Sequence, residues 1–182
     1  MKLSLVDRIV AMCDHLDRAD LPWALGGALA LAYATEEPRA TRDIDVNVFV
    51  PAADAARVFG ALPAGVEHSD ADLAAAATDE QVRLWWDDTP VDLFFSADPF
   101  HAEVAGRCRE VPFAGRTIRV LSAEDLAVFK AMFDRPKDWV DITTMHEANS
   151  IDLHLAADRL ADLLGRDDPR IDRLRTAYRG TP

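Results

Sequence analysis

The sequence predicts an α/β (α+β) fold: a mixed, twisted sheet flanked by helices, followed by a helical C-terminal part. Three observations carry this expectation. Residues 43–50, Asp-Ile-Asp-Val-Asn-Val-Phe-Val, alternate polar and apolar with the period of two of a half-buried strand. Two later segments, 81–96 and 109–120, read as hairpins with a helical stretch between them. From Ser122 onward the apolar residues recur at helical spacing only.

Each element has a local reason. Over 3–19, Leu5, Ile9, Cys13 and Leu16 recur at helical spacing among Asp7, Arg8, Asp14, Asp17 and Arg18, and Asp20 and Pro22 end the helix. Trp23-Ala24-Leu25 is a short apolar strand that runs into Gly26-Gly27. Ala28 to Ala34 reads as a buried helix, broken by Glu36-Glu37-Pro38. After strand 43–50, Pro51 opens a helix to about Leu62, closed by Pro63-Ala64-Gly65. Residues 66–79 are ambiguous. Strands over 81–86 and 91–96 are joined by Asp87-Asp88-Thr89-Pro90, and 99–107 is helical. A second hairpin, Arg109 to Val120, turns at Ala114-Gly115.

Ser122 with Asp125 resembles a capping box, and Leu126, Phe129 and Phe133 make an apolar helical face. Arg135-Pro136 interrupts it, and Pro136 suits the first turn of the next helix. Helices are expected over 151–164 and 168–179, separated by Gly165. The expected organisation is a catalytic α/β domain over 1–121 and a helical extension over 122–182 packed on it, with no flexible linker.

Composition narrows the function. At 182 residues and 49% hydrophobic content the chain is long and apolar enough for one globular domain. Lys and Arg number 20 against 32 Asp and Glu, a net charge of −12, which excludes a protein that grips extended duplex nucleic acid by charge. Cys13 and Cys108 are too few for a disulfide framework and read as free thiols of a reducing, cytoplasmic compartment. The longest apolar run, Leu21 to Ala34, has 14 residues and contains Pro22 and two glycines, short of the ~20 that a membrane span needs. His15, His68, His101, His146 and His154 show no zinc spacing.

The chemistry-bearing residues are acidic. In strand 43–50, Ile44, Val46, Val48 and Val50 share one face, and Asp43, Asp45 and Asn47 share the other. Two like charges on one face repel, whereas a plain solvent face would mix signs. A carboxylate pair at this spacing suits a hard divalent cation such as Mg²⁺, which takes one or two carboxylates plus phosphate oxygens. Asp92 stands inside the apolar stretch Val91-Asp92-Leu93-Phe94-Phe95, where Asp is disfavoured unless it has a partner. If that strand lies beside 43–50, Asp92 converges on the same ions. Gly26-Gly27 lies at a strand-to-helix junction, where backbone N–H groups favour an anion. Of Trp85 and Trp86, alternation sends one into the core and leaves the other as a surface aromatic or a substrate shelf.

Together, Gly26-Gly27, then Arg39-Ala40-Thr41-Arg42-Asp43-Ile44-Asp45, then Asp92 on a later strand resemble the nucleotidyltransferase superfamily with the polymerase-β-like fold. Lys130 followed by Arg135-Pro136-Lys137-Asp138-Trp139-Val140-Asp141 is similar to the second motif of the AbiEii-type toxins of type IV toxin–antitoxin systems. The resemblance covers residues from about 22 to 142. It implies that Gly26 and Gly27 hold the triphosphate of an NTP substrate and that Asp43 and Asp45 bind Mg²⁺, with two ions in the site. Asp92 would complete the site, as a metal ligand or as the group that activates the attacking hydroxyl. Phosphoryl transfer also needs cations, and Arg42, Lys130 and Lys137 are the candidates for triphosphate contacts.

The function implied is an Mg²⁺-dependent nucleotidyltransferase that moves a nucleotide from an NTP to a hydroxyl of an RNA end (a tRNA 3′ end) or of a protein, acting as a toxin with a cognate antitoxin partner. An alternative keeps the chemistry and makes the acceptor an aminoglycoside or lincosamide antibiotic, a choice that the acidic charge favours for a cationic aminoglycoside. A third is a non-catalytic nucleotidyltransferase-like binding module. Three clustered carboxylates argue against it, because like charges kept together without a ligand only cost stability.

Overall fold

The structure, a computed structural model, describes residues 3–177. The described chain runs α1 (Leu5–Arg18), β1 (Trp23–Leu25), α2 (Gly27–Thr35), β2 (Ile44–Pro51), a 3-10 turn (Ala52–Asp54), α3 (Ala55–Ala61), β3 (Val66–Glu67) and α4 (Asp70–Asp79). It continues through β4 (Gln81–Trp86), β5 (Thr89–Ser96), α5 (Pro99–Arg107), β6 (Arg109–Phe113) and β7 (Arg116–Val120). Helices α6 (Ala123–Phe133), α7 (Pro136–Glu147), α8 (Leu153–Leu164) and α9 (Pro169–Thr176) complete it. This is the mixed α/β architecture expected. Of the helix expected over 168–179, positions 178 and 179 lie outside the described residues.

The chain divides into two compact units: one comprises the residues up to Gly27 together with Ala40–Val120, the other Ala28–Arg39 together with Leu121 onward. The first unit holds a sheet in the order β3-β4-β5-β2-β1-β7-β6. Pairs β1–β7 and β2–β5 are parallel, and β1–β2, β3–β4, β4–β5 and β6–β7 are antiparallel. Its core lies under one face of β2 and β5, where Ile44, Val46, Val48, Val91, Leu93 and Phe95 are at most 2% exposed. Each such aliphatic side chain contributes about 1.5–3 kcal/mol of burial. Helix α1 adds Ile9, Met12, Cys13 and Leu16 to the core, and burial pushes the Cys13 thiol up to about 12. Arg8 of α1 is buried and anchors the β4–β5 turn, donating to Asp87 (2.7 Å), to Asp88 (3.2 Å) and to Thr89.

One stretch that the sequence leaves ambiguous is decided by the structure, and one turn differs from expectation. The stretch 66–79 resolves into the two-residue strand β3 and helix α4, whose N-cap Ser69 exchanges hydrogen bonds with Asp72 as a complete capping box. The β4–β5 reversal takes two residues, not four. Asp87 adopts a left-handed φ of 51°, which a short polar side chain tolerates, and the strands resume at Thr89.

The second unit is helical. Ser122 caps α6 by accepting from the Asp125 amide, and Pro136 stands in the first turn of α7. Its core gathers Leu126, Ala127, Val128, Ala131, Ile142, Met145, Ala156, Ala157 and Leu160, each at most 3% exposed. Among the described residues no helix is long and apolar enough to cross a membrane.

Candidate active site

The face of the sheet opposite the aliphatic core carries the acidic residues. Asp45 of β2 lies directly beside Asp92 of β5 in the parallel register. Asp43 immediately precedes β2, and its backbone is tied to Thr41: the Asp43 amide donates to Thr41 Oγ1 (3.2 Å) and the hydroxyl donates to the Asp43 carbonyl (3.2 Å). Asp45 and Asp92 therefore stand on adjacent strands of one unit, with Asp43 just before the first of them.

Gly27 adjoins them. Its φ of 52° is in the left-handed region, and a Cβ there would collide with the Asp45 carboxylate, so the position demands glycine. The Gly26 amide is already used, since it donates to the Asp45 carbonyl at 2.9 Å and locks the β1–α2 turn onto β2. Between the two glycines, Gly27 gives the close approach and Gly26 fixes the backbone of the acidic strand.

Arg83 is the residue that the sequence did not single out. It lies opposite Asp92 across the antiparallel β4–β5 pair. Its Nε and Nη2 donate to the two oxygens of Asp92, each at 2.7 Å, and Nη2 stands 3.9 Å from Asp43 Oδ2. The hydrogen bonds and charge of Asp92, with the charges of Asp43 and Asp45, raise the guanidinium pKa still further. A single arginine thus serves a row of three acids. The signal in the sequence was the turn length: a two-residue reversal at Asp87-Asp88 aligns Arg83 with Asp92, whereas a four-residue turn aligns Trp85 with it.

Trp85 occupies the same face two positions along β4 and is 47% exposed, while Trp86 is in the core. Its strand partner is Pro90. This resolves which tryptophan is the surface aromatic.

The other predicted cations fall differently. Arg42 is exposed in the segment before β2. Lys130 and Lys137 belong to the helical unit. Lys130 is largely buried and ion-paired with Asp141 (2.6 Å) and Asp138 (3.5 Å). Arg135 also pairs with Asp138 (2.6 Å), and Arg39 with Asp141 (3.1 Å). Burial works against ionised Asp138, but the Arg135 hydrogen bonds and the Lys130 and Arg135 charges prevail and hold its carboxyl below the usual range. Lys137 is exposed on α7.

The donor set of the acidic row suits a hard divalent cation, because it offers carboxylate oxygens and no sulfur or imidazole. Among the described residues no three His, Cys, Asp or Glu side chains stand close enough to enclose a metal by themselves. The fit is therefore to an ion held by one or two of these carboxylates and completed by substrate oxygens, which is the usual Mg²⁺ pattern.

Among curated proteins none is significantly similar in sequence. Solved structures are. ANT(2'')-Ia, an antibiotic-resistance factor, matches over 96% of this chain and 90% of its own in its solution structure, at 22% identity and a TM-score of 0.56. Its crystal structure in complex with adenylyl-2''-tobramycin matches over 96% of each chain at 23% identity and a TM-score of 0.55. The lincomycin-bound lincosamide antibiotic adenylyltransferase LnuA matches over 78% of this chain and 96% of its own, at 16% identity and a TM-score of 0.54. At these identities the likeness is one of fold, and it identifies the nucleotidyltransferase fold in this molecule. In sequence, residues 11–179 match the family described as nucleotidyl transferase AbiEii toxin, type IV TA system, and the chain belongs to that family.

Proposed function

We propose that the protein is an Mg²⁺-dependent nucleotidyltransferase that transfers a nucleotide from an NTP to a hydroxyl of an RNA end or a protein, as the toxin of a type IV toxin–antitoxin pair. The observation that carries the reading is the acidic row: Asp45 and Asp92 in register on parallel strands, Asp43 two positions before Asp45, and Gly27 without a side chain against Asp45. In the reaction the acceptor oxygen attacks the α-phosphorus, the bond from that phosphorus to the pyrophosphate oxygen breaks, and pyrophosphate leaves with its electron pair. Bound Mg²⁺ would supply charge neutralisation on the attacking and leaving oxygens.

The chain's own groups supply the rest. Asp43 and Asp45 would hold the metal. Asp92 would serve as a further ligand or take the proton of the attacking hydroxyl. Gly27 leaves room for the Asp45 carboxylate itself, and its turn would hold the triphosphate. Arg42, exposed in the segment before β2, is the candidate cation of this unit for phosphate oxygens. The family match favours the toxin reading and a cognate antitoxin in the cytoplasm.

One observation favours a second acceptor class. The net charge of −12 attracts a polycation such as an aminoglycoside and repels RNA. The test is incubation with each α-labelled NTP, Mg²⁺, and in turn total tRNA, a protein extract and an aminoglycoside and lincosamide panel. Label on tRNA or protein that disappears in Asp45→Ala supports the toxin reading. Label on an antibiotic alone transfers the assignment to the second. No label on any acceptor, together with no Mg²⁺-dependent NTP binding, overturns both.

A further inference from the structure

We propose that Arg83 is the resident counter-cation of the acidic row, a positioning residue that holds Asp92 until a divalent cation takes its place. This rests on the reading of Asp43, Asp45 and Asp92 as a metal site. The geometry is specific. Two parallel N–H···O bonds of 2.7 Å engage both Asp92 oxygens, and the same Nη2 reaches toward Asp43. A bidentate guanidinium is the strongest single partner a carboxylate finds among side chains. It occupies the edge of Asp92 from which both oxygens could otherwise be shared with a cation.

Exposure shows which partner can move. The Asp92 side chain is 14% exposed, fixed in a central strand, whereas that of Arg83 is 53% exposed on β4. The long arginine side chain can swing into solvent without disturbing the sheet. A divalent cation at Asp92 and a guanidinium at the same oxygens exclude one another by like charge. Metal therefore binds at the expense of the Arg83–Asp92 pair, and bare metal binds weakly. An arriving triphosphate changes the balance, because its oxygens complete the metal shell and give the released guanidinium a bidentate anionic partner. Metal and nucleotide would then enter together, with Asp92 freed for its role only when both are present.

The test is Mn²⁺ binding without nucleotide, followed by electron paramagnetic resonance, on wild type, Arg83→Gln, Arg83→Met, Arg83→Lys and the double variant Arg83→Gln/Asp45→Ala. Circular dichroism checks folding, and Arg83→Met keeps the apolar stem should Arg83→Gln fold poorly. Removing the guanidinium should tighten Mn²⁺ by roughly tenfold, the size of one charge-assisted hydrogen bond. Arg83→Lys should fall between, because an ammonium keeps the charge without the fork. The gain should vanish in the double variant. A merely structural arginine would give equal or weaker binding on removal, so that result overturns the proposal. If wild type binds Mn²⁺ through Asp45 and Arg83→Gln binds it equally, the counter-cation role alone fails. If no variant binds Mn²⁺, or if binding ignores Asp45, the metal-site reading fails with it.

Discussion

Two clusters in this molecule use the same side chains to opposite ends. On the sheet, Arg83 meets Asp92 and reaches toward Asp43, next to Asp45, and half or more of that arginine's side chain is open to solvent. In the helical unit, Asp138 and Asp141 are met by Lys130, Arg135 and Arg39. There Asp138 is fully buried and Lys130 nearly so. In the first cluster the pairing arginine and Asp43 are open to solvent while Asp92 is mostly covered. In the second, two acids are met by three cations, with Asp138 and Lys130 buried at its centre. A buried carboxylate persists only when its partners compensate its desolvation, so the helical cluster acts as scaffold. Like charges side by side are unfavourable until a cation offsets them, so the sheet cluster is where the proposed cation would bind.

The sharpest way to test this contrast is to remove one member from each. Asp45→Ala should cut nucleotidyl transfer by at least about 10³-fold, the scale on which lost electrostatic stabilisation acts in an active site. Its thermal unfolding should stay at or slightly above that of wild type, since a repelling charge has gone. If Asp45→Ala unfolds markedly earlier, the sheet cluster is scaffold too and the contrast collapses.

Asp138→Asn should do the reverse. Breaking a buried pair leaves Lys130 and Arg135 short of charge, and unfolding free energy should fall by about 3 kcal/mol in denaturant melts at pH 7. The Asp138 carboxyl is held below its usual value of 3.8, so its stabilisation is present above that value and is lost as pH falls through the lower folded value. The gap between wild type and Asp138→Asn should therefore close on acidification. A gap that widens instead would remove Asp138 from the scaffold.

Gly27→Ala probes the seam between backbone and acid. A left-handed φ and a collision with the Asp45 carboxylate should cost about 2 kcal/mol of stability, and Asp45 displaced by the new methyl should lower activity as well. Stability lost with activity intact would mean that Asp45 can shift without consequence. Smallest of all, Trp85→Ala should leave stability within about 0.5 kcal/mol, because the ring is half exposed, yet raise the KM of an acceptor or base that stacks there by roughly tenfold. An unchanged KM for both substrates would make Trp85 a plain surface residue.

How much of this was legible beforehand varied with distance along the chain. The alternation of 43–50 was enough to assign Asp43 and Asp45 to one face and the valines to the core, because strand periodicity is a local property. The AbiEii-like Lys-Arg-x-Lys-Asp pattern was equally readable as letters. Its meaning was not: whether Lys130 reaches for a ligand or for Asp138 and Asp141 depends on how α6 and α7 pack. The Arg83–Asp92 pair hung on whether the reversal at Asp87 uses two residues or four, and one left-handed residue decided it. Helix α4 was obscured by its alanine run, and its capping box at Ser69 and Asp72 was the missed signal.

The sequence by itself determined the class of fold and the family, because each rests on short-range pattern or on a motif read in order. The tertiary structure alone decided that Asp45 and Asp92 are neighbours, that Arg83 closes the row, that Gly26 spends its amide on β2, and that residues 28–39 group with the C-terminal helices. The reason is physical: side-chain periods are fixed within one turn or one pleat, whereas register and charge pairing are set by contacts between segments that sequence order leaves far apart.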